Sequence, residues 1–191
     1  IEFVAQSNLF VPHFHIPLQS GSDKILKLMQ RRYKSDLYKS RVEKIKNVMP
    51  HACIGVDVIV GFPQETDDDF LDTYNFVNEL DISYLHVFTY SERANTKAIE
   101  MDSVVPVPVR NQRNAMLRTL SEKKKRYFYQ QFLGTTRLAL MEQEQHGNVM
   151  HGFTDNYIKV SMPFDALHVN QLVNVHLQDF DDAGNVLAIV Q

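Results

Sequence analysis

Apolar and polar positions along the first two thirds of the chain predict strands and helices in alternation. Residues 13–19 predict a strand, and because alternate side chains share a face, His13 and His15 lie on the same side. Residues 52–60 are a near-continuous apolar run, which is typical of a strand buried on both faces of a parallel sheet. Residues 84–90 predict a third strand.

Helical periodicity predicts a helix after each of these strands and a second one before the middle strand. The predicted helices are 23–32, 36–48, 67–80 and 110–133. Thr66 and Asp69 have the spacing of a helix-capping pair. This order predicts consecutive parallel strands with right-handed crossovers.

Two of these helices have apolar stripes that we expect to be buried. They are Leu37, Tyr38, Val42, Ile45 and Val48 in the second helix, and Met116, Leu117, Leu120, Tyr127 and Phe128 in the last.

The pattern changes from residue 135 onward, where short strands separated by turns replace the strand–helix alternation. The strands are predicted at 136–142, 147–153, 156–162, 171–178 and 185–190. This spacing predicts a small antiparallel barrel of the oligonucleotide-binding type. We therefore predict an α/β fold with two domains, 1–133 and 134–191. Because three strands do not close a (β/α) barrel, we expect the missing strands upstream of Ile1, in a longer protein.

Charge is segregated although the net charge is only −3. Residues 24–46 hold nine Lys/Arg against two acids, and residues 110–126 hold seven against one. These blocks indicate either a footprint for a polyanion or two solvated helix faces, and both interpretations stay open. The predicted barrel has two basic residues against seven acids, so its charge does not favour strong phosphate binding. Its aromatic residues Phe153 and Tyr157 are candidates for contact with nucleic acid.

The composition indicates a cellular compartment, and it excludes an internal disulfide and an iron–sulfur cluster held by this chain. The chain has one cysteine, Cys53, which excludes an internal disulfide and cannot supply the thiolates of an iron–sulfur cluster. No apolar run approaches the roughly 20 residues of a membrane helix. We therefore expect a soluble, cytoplasmic protein.

Candidate chemistry lies on one face of the predicted sheet. Asp57 is a carboxylate within a buried strand, and it shares its face with His86, Phe88 and Tyr90. Asp57 either hydrogen-bonds a neighbouring strand end or helix cap, or supports a ligand. The aromatic residues are either core or stacking surfaces, and His13 and His15 either line a pocket or are satisfied core residues.

Several motifs in order carry a resemblance to a known family. They are His13-Phe-His-Ile-Pro-Leu-Gln-Ser-Gly-Ser-Asp23, Met29-Gln-Arg-Arg-Tyr33, Asp57-Val-Ile-Val-Gly-Phe-Pro-Gln-Glu-Thr66, Tyr90-Ser-Glu-Arg-Ala-Asn-Thr96 and Gly147-Asn-Val-Met-His-Gly-Phe-Thr-Asp-Asn-Tyr-Ile-Lys-Val160. Together they resemble the second half of a radical S-adenosylmethionine methylthiotransferase, ending in its TRAM domain. Within this family the chain is most similar to the MtaB-like branch. The Arg93-Ala-Asn-Thr96 segment departs from the commoner Arg-Pro-Gly-Thr form.

The resemblance implies an enzyme that uses S-adenosylmethionine and 4Fe–4S clusters whose cysteines are absent from this chain. It implies that Gln19 and Ser20 contact the ribose or amino-acid portion of the cofactor. Asp57 and Gly61 correspond to the later cofactor-binding strand, while Phe88 and Tyr90 flank the adenine. Arg93, with Phe153 and Tyr157 of the TRAM domain, would contact the substrate.

The implied reaction adds a methylthio group to C2 of N6-threonylcarbamoyladenosine beside the tRNA anticodon, at position 37. The alternatives are an isopentenyl-adenosine or ribosomal-protein methylthiotransferase, or a non-catalytic RNA-binding module. We expect this chain alone to be inactive, with tRNA as its partner. An open half-barrel exposes a sheet edge, so we also expect a dimer or a strand-swapped assembly.

Overall fold

The computed structural model describes residues 1–143 and 147–191, and of residues 144–146 only the strand that contains them. The chain divides into two compact units. One consists of residues 14–50 and 54–124, and the other of residues 1–13, 51–53 and 125–191.

A three-stranded sheet organises the first of these units. Its strands are β1 (His13–His15), β2 (Cys53–Val60) and β3 (Tyr84–Thr89), in the order β1-β2-β3. Strands β2 and β3 are parallel, with Asp57 paired to His86. Strand β2 is central and carries four β-branched side chains that are 0% exposed, namely Ile54, Val56, Val58 and Val60. The prediction of a parallel strand is confirmed, but burial on both faces is only partly confirmed, because Asp57 and Ile59 on the opposite face are half-buried.

Strand β1 is shorter than the predicted strand 13–19. Its chain stays beside β2 through hydrogen bonds from Ile16 N to Gly55 O and from Gln19 N to Asp57 O, and Gln19 forms an isolated parallel bridge with Val58. Pro17 has no N–H to donate, and Gln19 has a φ of 75° that no regular strand adopts. These two residues end the regular strand early.

Helices connect the strands. They are α1 (Glu2–Ala5), α2 (Asp23–Leu28), α3 (Ser35–Val48), α4 (Asp67–Glu79) and α5 (Val107–Gln130), with a 3₁₀ turn at Lys97–Glu100. Helix α2 is shorter than predicted, because the left-handed Gln30 (φ 57°) ends the helical path before Arg32. Helix α4 begins with the predicted capping box, in which Thr66 and Asp69 exchange backbone and side-chain hydrogen bonds.

The predicted apolar stripes are only partly buried. Tyr38, Val42 and Ile45 are buried in α3, whereas Leu37 and Val48 are 46% and 41% exposed. In α5, Leu117, Leu120 and Phe128 are buried, but Met116 and Tyr127 are exposed. These exposed residues lie at the margins of the stripes, and the prediction that they are buried was wrong.

Helix α5 covers the outer edge of β3 with polar side chains. Ser121 Oγ accepts from Leu85 N at 2.8 Å and donates to Leu85 O at 3.0 Å. Asn114 Nδ2 donates to Val87 O at 3.1 Å. These bonds satisfy part of the backbone that an edge strand leaves unpaired.

The remaining strands form a closed barrel in the order β4-β5-β6-β8-β7. They are β4 (Thr136–His146), β5 (Val149–Thr154), β6 (Lys159–Pro163), β7 (Leu172–Phe180) and β8 (Val186–Val190), with a 3₁₀ turn at Ala166–His168. Neighbouring strands are antiparallel except for the parallel pair β6 and β8. The predicted α/β fold with a five-stranded barrel is confirmed, but the prediction of a wholly antiparallel barrel was wrong, because β6 and β8 are parallel. Within the part of the chain that the structure describes, no helix is long and apolar enough to cross a membrane.

Candidate functional site

The open face of the sheet carries a hydrogen-bonded cluster of polar rings. Asp57 Oδ1 accepts a hydrogen bond from His15 Nε2 at 2.9 Å. The His15 and His86 ring centroids are 5.4 Å apart, and the Tyr84 ring meets His86 edge to face at 5.2 Å. The prediction that Asp57 and His86 share a face is confirmed by their register.

Gly55 makes room for this cluster. A Cβ at Gly55 would lie 2.3 Å from Cζ and Oη of Tyr84, so the tyrosine ring lies directly over the backbone of β2. Next to this cluster, Tyr38 Oη of α3 donates a hydrogen bond to the carbonyl oxygen of Ile16, which follows β1, at 2.6 Å. Burial raises the pKa of Tyr38 far above its ordinary value, and Tyr33 and the Asp57 carboxylate add to the rise. The Tyr38 hydroxyl therefore stays protonated and keeps this donor role at physiological pH.

Gln19 combines an unusual backbone conformation with a nearly buried side chain. Its φ is 75°, its N donates to Asp57 O, and its O accepts from Ile59 N. The side chain is 8% exposed. A non-glycine residue in the left-handed region costs free energy, so the backbone hydrogen bonds to β2 hold Gln19 in this conformation.

Ser20 lies directly after Gln19 and is fully buried. Its Oγ is 3.0 Å from Thr73 Oγ1 in α4 and accepts from Ser22 N at 3.1 Å. Gly21 N also donates to Thr73 Oγ1 at 3.0 Å. The serine hydroxyl therefore fastens the turn before α2 onto α4.

The turn after β2 is built around Gly61, which has a φ of 75°. Its N–H donates to Glu65 Oε1 at 2.9 Å, and a Cβ at this position would lie 2.3 Å from Arg110 Cγ. Glu65 in turn accepts from Arg113 Nη1 at 2.6 Å, and both side chains are buried. Burial raises the pKa of Glu65, although the Gly61 N–H and Arg113 act in the opposite direction.

Arg110 connects this turn to the end of β3. Its Nη1 donates to Tyr90 O at 2.8 Å, its Nε donates to Val105 O at 2.7 Å, and its Nη2 donates to Glu92 at 2.5 Å. The guanidinium carbon also lies 5.3 Å from the centroid of the Tyr90 ring. Arg110 is 4% exposed and Arg113 is 5% exposed. Arg110 and Arg113 belong to the basic block 110–126, but they are buried. They therefore form neither a footprint for a polyanion nor part of a solvated helix face.

A cavity of about 790 Å³ opens at the carboxyl ends of β2 and β3. The predicted residues Phe88, Tyr90 and Arg93 all line it, together with Ile59 and Phe62. The Oη of Tyr90 is buried and has no hydrogen-bond partner among the described residues. An apolar cavity with aromatic walls and one unpaired hydroxyl is suited to a planar ring that carries polar substituents.

Phe153 and Tyr157 lie in the barrel unit. The Tyr157 ring is stacked on His13 at a centroid distance of 3.9 Å and on Phe153 at 4.7 Å. Two parallel rings at these distances do not both fit on one face, so they cover opposite faces of the tyrosine. His13 therefore packs in a ring stack, whereas His15 belongs to the Asp57 cluster.

The donor set does not fit an iron–sulfur cluster. Cys53 is 1% exposed at the start of β2. Among the described residues, no group of three or more His, Cys, Asp or Glu side chains is arranged to hold a metal ion. The ligands of any cluster must come from outside this chain.

The predicted site residues thus form separate groups. Phe88, Tyr90 and Arg93 meet in one cavity, and Asp57 lies with His15 and His86 on the sheet. The remaining predicted residues, Gln19, Ser20, Gly61, Phe153 and Tyr157, lie outside the residues that line this cavity. Sequence reasoning missed the cavity-lining residues Met29, Arg31, Thr96, Lys97 and Met101. Two of the quoted motifs contain Met29, Arg31 and Thr96, so their location in motifs was an available signal.

One family model matches the amino-terminal part of the chain. Residues 1–77 match the model of the Radical SAM superfamily. A solved structure described as a radical SAM enzyme, coproporphyrinogen III oxidase (HemN) from Escherichia coli, is 19% identical with a TM-score of 0.45, over 63% of this chain and 26% of that chain.

Curated relatives match nearly the whole chain. Threonylcarbamoyladenosine tRNA methylthiotransferase MtaB from Bacillus subtilis (strain 168) is 36% identical over 93% of this chain and 40% of that protein. The protein of the same name from Aquifex aeolicus (strain VF5) is 38% identical over 84% of this chain and 38% of that protein. A tRNA-2-methylthio-N(6)-dimethylallyladenosine synthase from Endomicrobium trichonymphae is 36% identical over 94% and 43%. The chain spans about two fifths of the length of these relatives, and it is similar to them over 84–94% of its own length.

Proposed function

We propose that this chain is the later part of a tRNA methylthiotransferase that acts on N6-threonylcarbamoyladenosine at position 37, next to the anticodon. The observation that carries the proposal is the similarity over 93% of the chain to a relative named for that reaction. The full protein would add a methylthio group to C2 of the adenine, in the cytoplasm, with tRNA as its partner.

The proposed domains are a partial (β/α) radical SAM barrel over residues 1–133 and a TRAM domain over residues 134–191. The parallel strands β1 to β3 with their helices support the first, because they repeat the unit from which such barrels are built. The closed five-stranded barrel supports the second.

S-adenosylmethionine would bind on the open face of the sheet. Gln19, with a φ of 75° and a side chain that is 8% exposed, would contact the ribose or amino-acid portion of the cofactor. Asp57 would support this site, with Gly61 in the turn that follows, while Phe88 and Tyr90 would flank an adenine ring. Ser20 would act through the turn that it holds on α4. The bound cofactor supplies the radical and methyl chemistry of the family.

A dimethylallyladenosine substrate is the second candidate. Relatives named for that substrate are 34–36% identical to this chain, close to the values for the MtaB relatives. Sequence similarity alone does not separate the two.

The test uses the full-length protein with its clusters reconstituted, because this chain has no cluster ligands and we expect it to be inactive alone. Anticodon stem–loops carrying threonylcarbamoyladenosine, dimethylallyladenosine or unmodified adenosine at position 37 are incubated with S-adenosylmethionine, and nucleosides are analysed by mass spectrometry. A methylthio product on the threonylcarbamoyl substrate supports the proposal. A product only on the dimethylallyl substrate would favour the second candidate, and no product on any of them would contradict both.

A further inference from the structure

The cavity at the carboxyl ends of β2 and β3 is positively charged. Its charged lining residues are Arg31, Arg93 and Lys97, and no Asp or Glu is among the described residues that line it. Within the part of the chain that the structure describes, none of these three side chains forms an ion pair. Three cations without a counter-charge make this cavity attractive to an anion.

Other basic residues form ion pairs with carboxylates. Lys24 pairs with Asp69 at 2.6 Å, and Lys46 lies 3.4 Å from Asp81. Arg110 and Arg113 are held by Glu92, Glu65 and Asp67. Lys24, Lys46, Arg110 and Arg113 thus have carboxylate partners, whereas the three cations that line the cavity do not.

The charge of the cavity distinguishes between ligands. S-adenosylmethionine carries a sulfonium and an ammonium against one carboxylate, so its net charge is positive and three unpaired cations would repel it overall. A threonylcarbamoyl group carries a carboxylate, which arginine binds through two parallel N–H donors. A dimethylallyl group carries no charge and would leave the cations without a partner.

The apolar part of the cavity fits the rest of such a ligand. Phe88 is 53% exposed and offers a ring surface, and Ile59, Phe62 and Met101 supply apolar walls. The buried Tyr90 Oη has no hydrogen-bond partner among the described residues. Arg110 keeps Tyr90 in place, because its Nη1 donates a hydrogen bond to Tyr90 O at 2.8 Å.

We propose that this cavity binds the N6 substituent of the target adenosine and that Arg31, Arg93 and Lys97 select a substituent that carries a carboxylate. The inference rests on the proposed function, because it assigns the choice between the two candidate substrates to these three side chains. They are specificity-determining residues, and on this assignment Phe88 and Tyr90 line the subsite of the target adenosine rather than that of the cofactor's adenine.

Nucleosides bound to this chain test the selection directly. The probes are N6-threonylcarbamoyladenosine, its methyl ester and N6-dimethylallyladenosine, with affinities measured by calorimetry at low and physiological salt. We expect the acid to bind about tenfold more tightly than the ester, since one charge-assisted hydrogen bond has roughly that effect. None of the probes contains phosphate. If the three basic residues bind only the phosphates of the tRNA backbone, the acid and the ester should bind with equal affinity, and that result would overturn the proposal.

Single variants identify the residues. Arg31→Gln, Arg93→Gln and Lys97→Gln should each reduce the ratio of acid to ester affinity severalfold while leaving the affinity for the ester unchanged. Arg32→Gln is the matched control, because Arg32 is an exposed neighbour of Arg31 that does not line this cavity. All these side chains are exposed, so the variants should fold. An unchanged ratio in all three variants, or an equal change in Arg32→Gln, would overturn the proposal.

The full-length protein separates this inference from the proposed function. If the wild-type enzyme modifies the threonylcarbamoyl stem–loop and Arg93→Gln lowers its kcat/KM relative to the dimethylallyl stem–loop, both stand. If the enzyme is active but its preference is unchanged in all three variants, the inference fails and the proposed function stands. If the enzyme prefers the dimethylallyl substrate, the inference fails and the methylthiotransferase class stands.

Discussion

Arg113 and Glu65 form an ion pair that is removed from solvent: Arg113 Nη1 lies 2.6 Å from Glu65 Oε1, and the side chains are 6% and 2% exposed. Glu65 also accepts from Gly61 N, so the pair joins α5 to the turn after β2. Arg113 makes a second pair through Nη2 with Asp67 in the first turn of α4 at 2.7 Å. One arginine therefore fixes the turn that leads from β2 into α4.

Removing one member of this pair should be costly, because the other is left as an uncompensated buried charge. We expect Arg113→Gln to lower the free energy of unfolding by about 3 kcal/mol, near the lower end of the range for broken buried pairs. The double variant Glu65→Gln/Arg113→Gln should lose less than the sum of the two single losses. Denaturant unfolding measures this cycle, with Arg118→Gln on the exposed face of α5 as the control. Additive single losses would contradict the coupling.

The pH dependence of Arg113→Gln follows from the raised pKa of Glu65. Burial raises this pKa, and removal of Arg113 removes an interaction that lowers it. A carboxyl group whose pKa is higher in the folded state than in the unfolded state destabilises the protein least below its unfolded-state pKa. The protein loses stability as the pH rises through the folded-state pKa. The stability difference between wild type and variant should therefore be smallest in acid and grow toward neutral pH. A constant difference across that range would show that Glu65 does not take up a proton.

Gly61→Ala should lower the free energy of unfolding by more than the conformational strain of an alanine at positive φ. Gly61 has a φ of 75° and a Cβ there would lie 2.3 Å from Arg110 Cγ, whereas Gly184 has a φ of 80° with nothing within 4 Å of its Cβ position. Gly184→Ala therefore measures the backbone strain alone, about 1 kcal/mol. We expect a larger loss of unfolding free energy for Gly61→Ala, together with faster hydrogen exchange in the turn that contains Glu65. Equal losses for the two variants would mean that Arg110 moves aside freely.

Asp69 should stabilise the protein in a defined acid range. Burial by itself would raise its pKa, but hydrogen bonds from Lys24, Thr66 and Ser22 outweigh burial and lower the pKa to about 2. A carboxylate with a lowered folded-state pKa contributes stability above its unfolded pKa and loses it as pH falls through the folded value. The advantage of wild type over Asp69→Asn should therefore be full above pH 3.8 and decline toward pH 2. Thermal unfolding against pH measures this, and the exposed Asp68→Asn should show no such decline.

Local patterns predicted those features of the fold that neighbouring residues determine. The capping box of Thr66 and Asp69 and the buried strand β2 follow from spacing and side-chain type over a few positions. The common face of Asp57 and His86 followed from alternation and was confirmed by their register. The motifs of the family pointed to Phe88, Tyr90 and Arg93, which the structure brings to one cavity.

Features that depend on distant residues were not predictable from such patterns. Arg110 and Arg113 looked like members of a basic surface, because their acidic partners Glu92 and Glu65 lie far away in the sequence. The early end of β1 depends on the left-handed Gln19, a conformation that its residue type does not favour. The parallel pairing of β6 with β8 depends on closure of the whole barrel.

Tyr157 gives a prediction that separates packing from nucleic-acid binding in the barrel unit. Its ring has His13 on one face and Phe153 on the other, so neither face is open to a base. Tyr157→Ala should therefore lower the stability of this unit by about 1–3 kcal/mol, since it removes two ring contacts. Tyr157→Phe keeps both stacks and should be nearly neutral.

Affinity for tRNA decides between the two roles when it is measured at a temperature where both variants are folded. If the stack is structural, Tyr157→Phe binds tRNA as wild type does, and Tyr157→Ala loses stability with little change in affinity. Phe180→Ala is the matched control, because Phe180 also has a ring contact, with Arg126 at 4.1 Å, but lies outside this stack. A loss of roughly 1–3 kcal/mol of tRNA binding in Tyr157→Ala, absent from the control, would show that a base displaces one of the two rings and stacks on Tyr157.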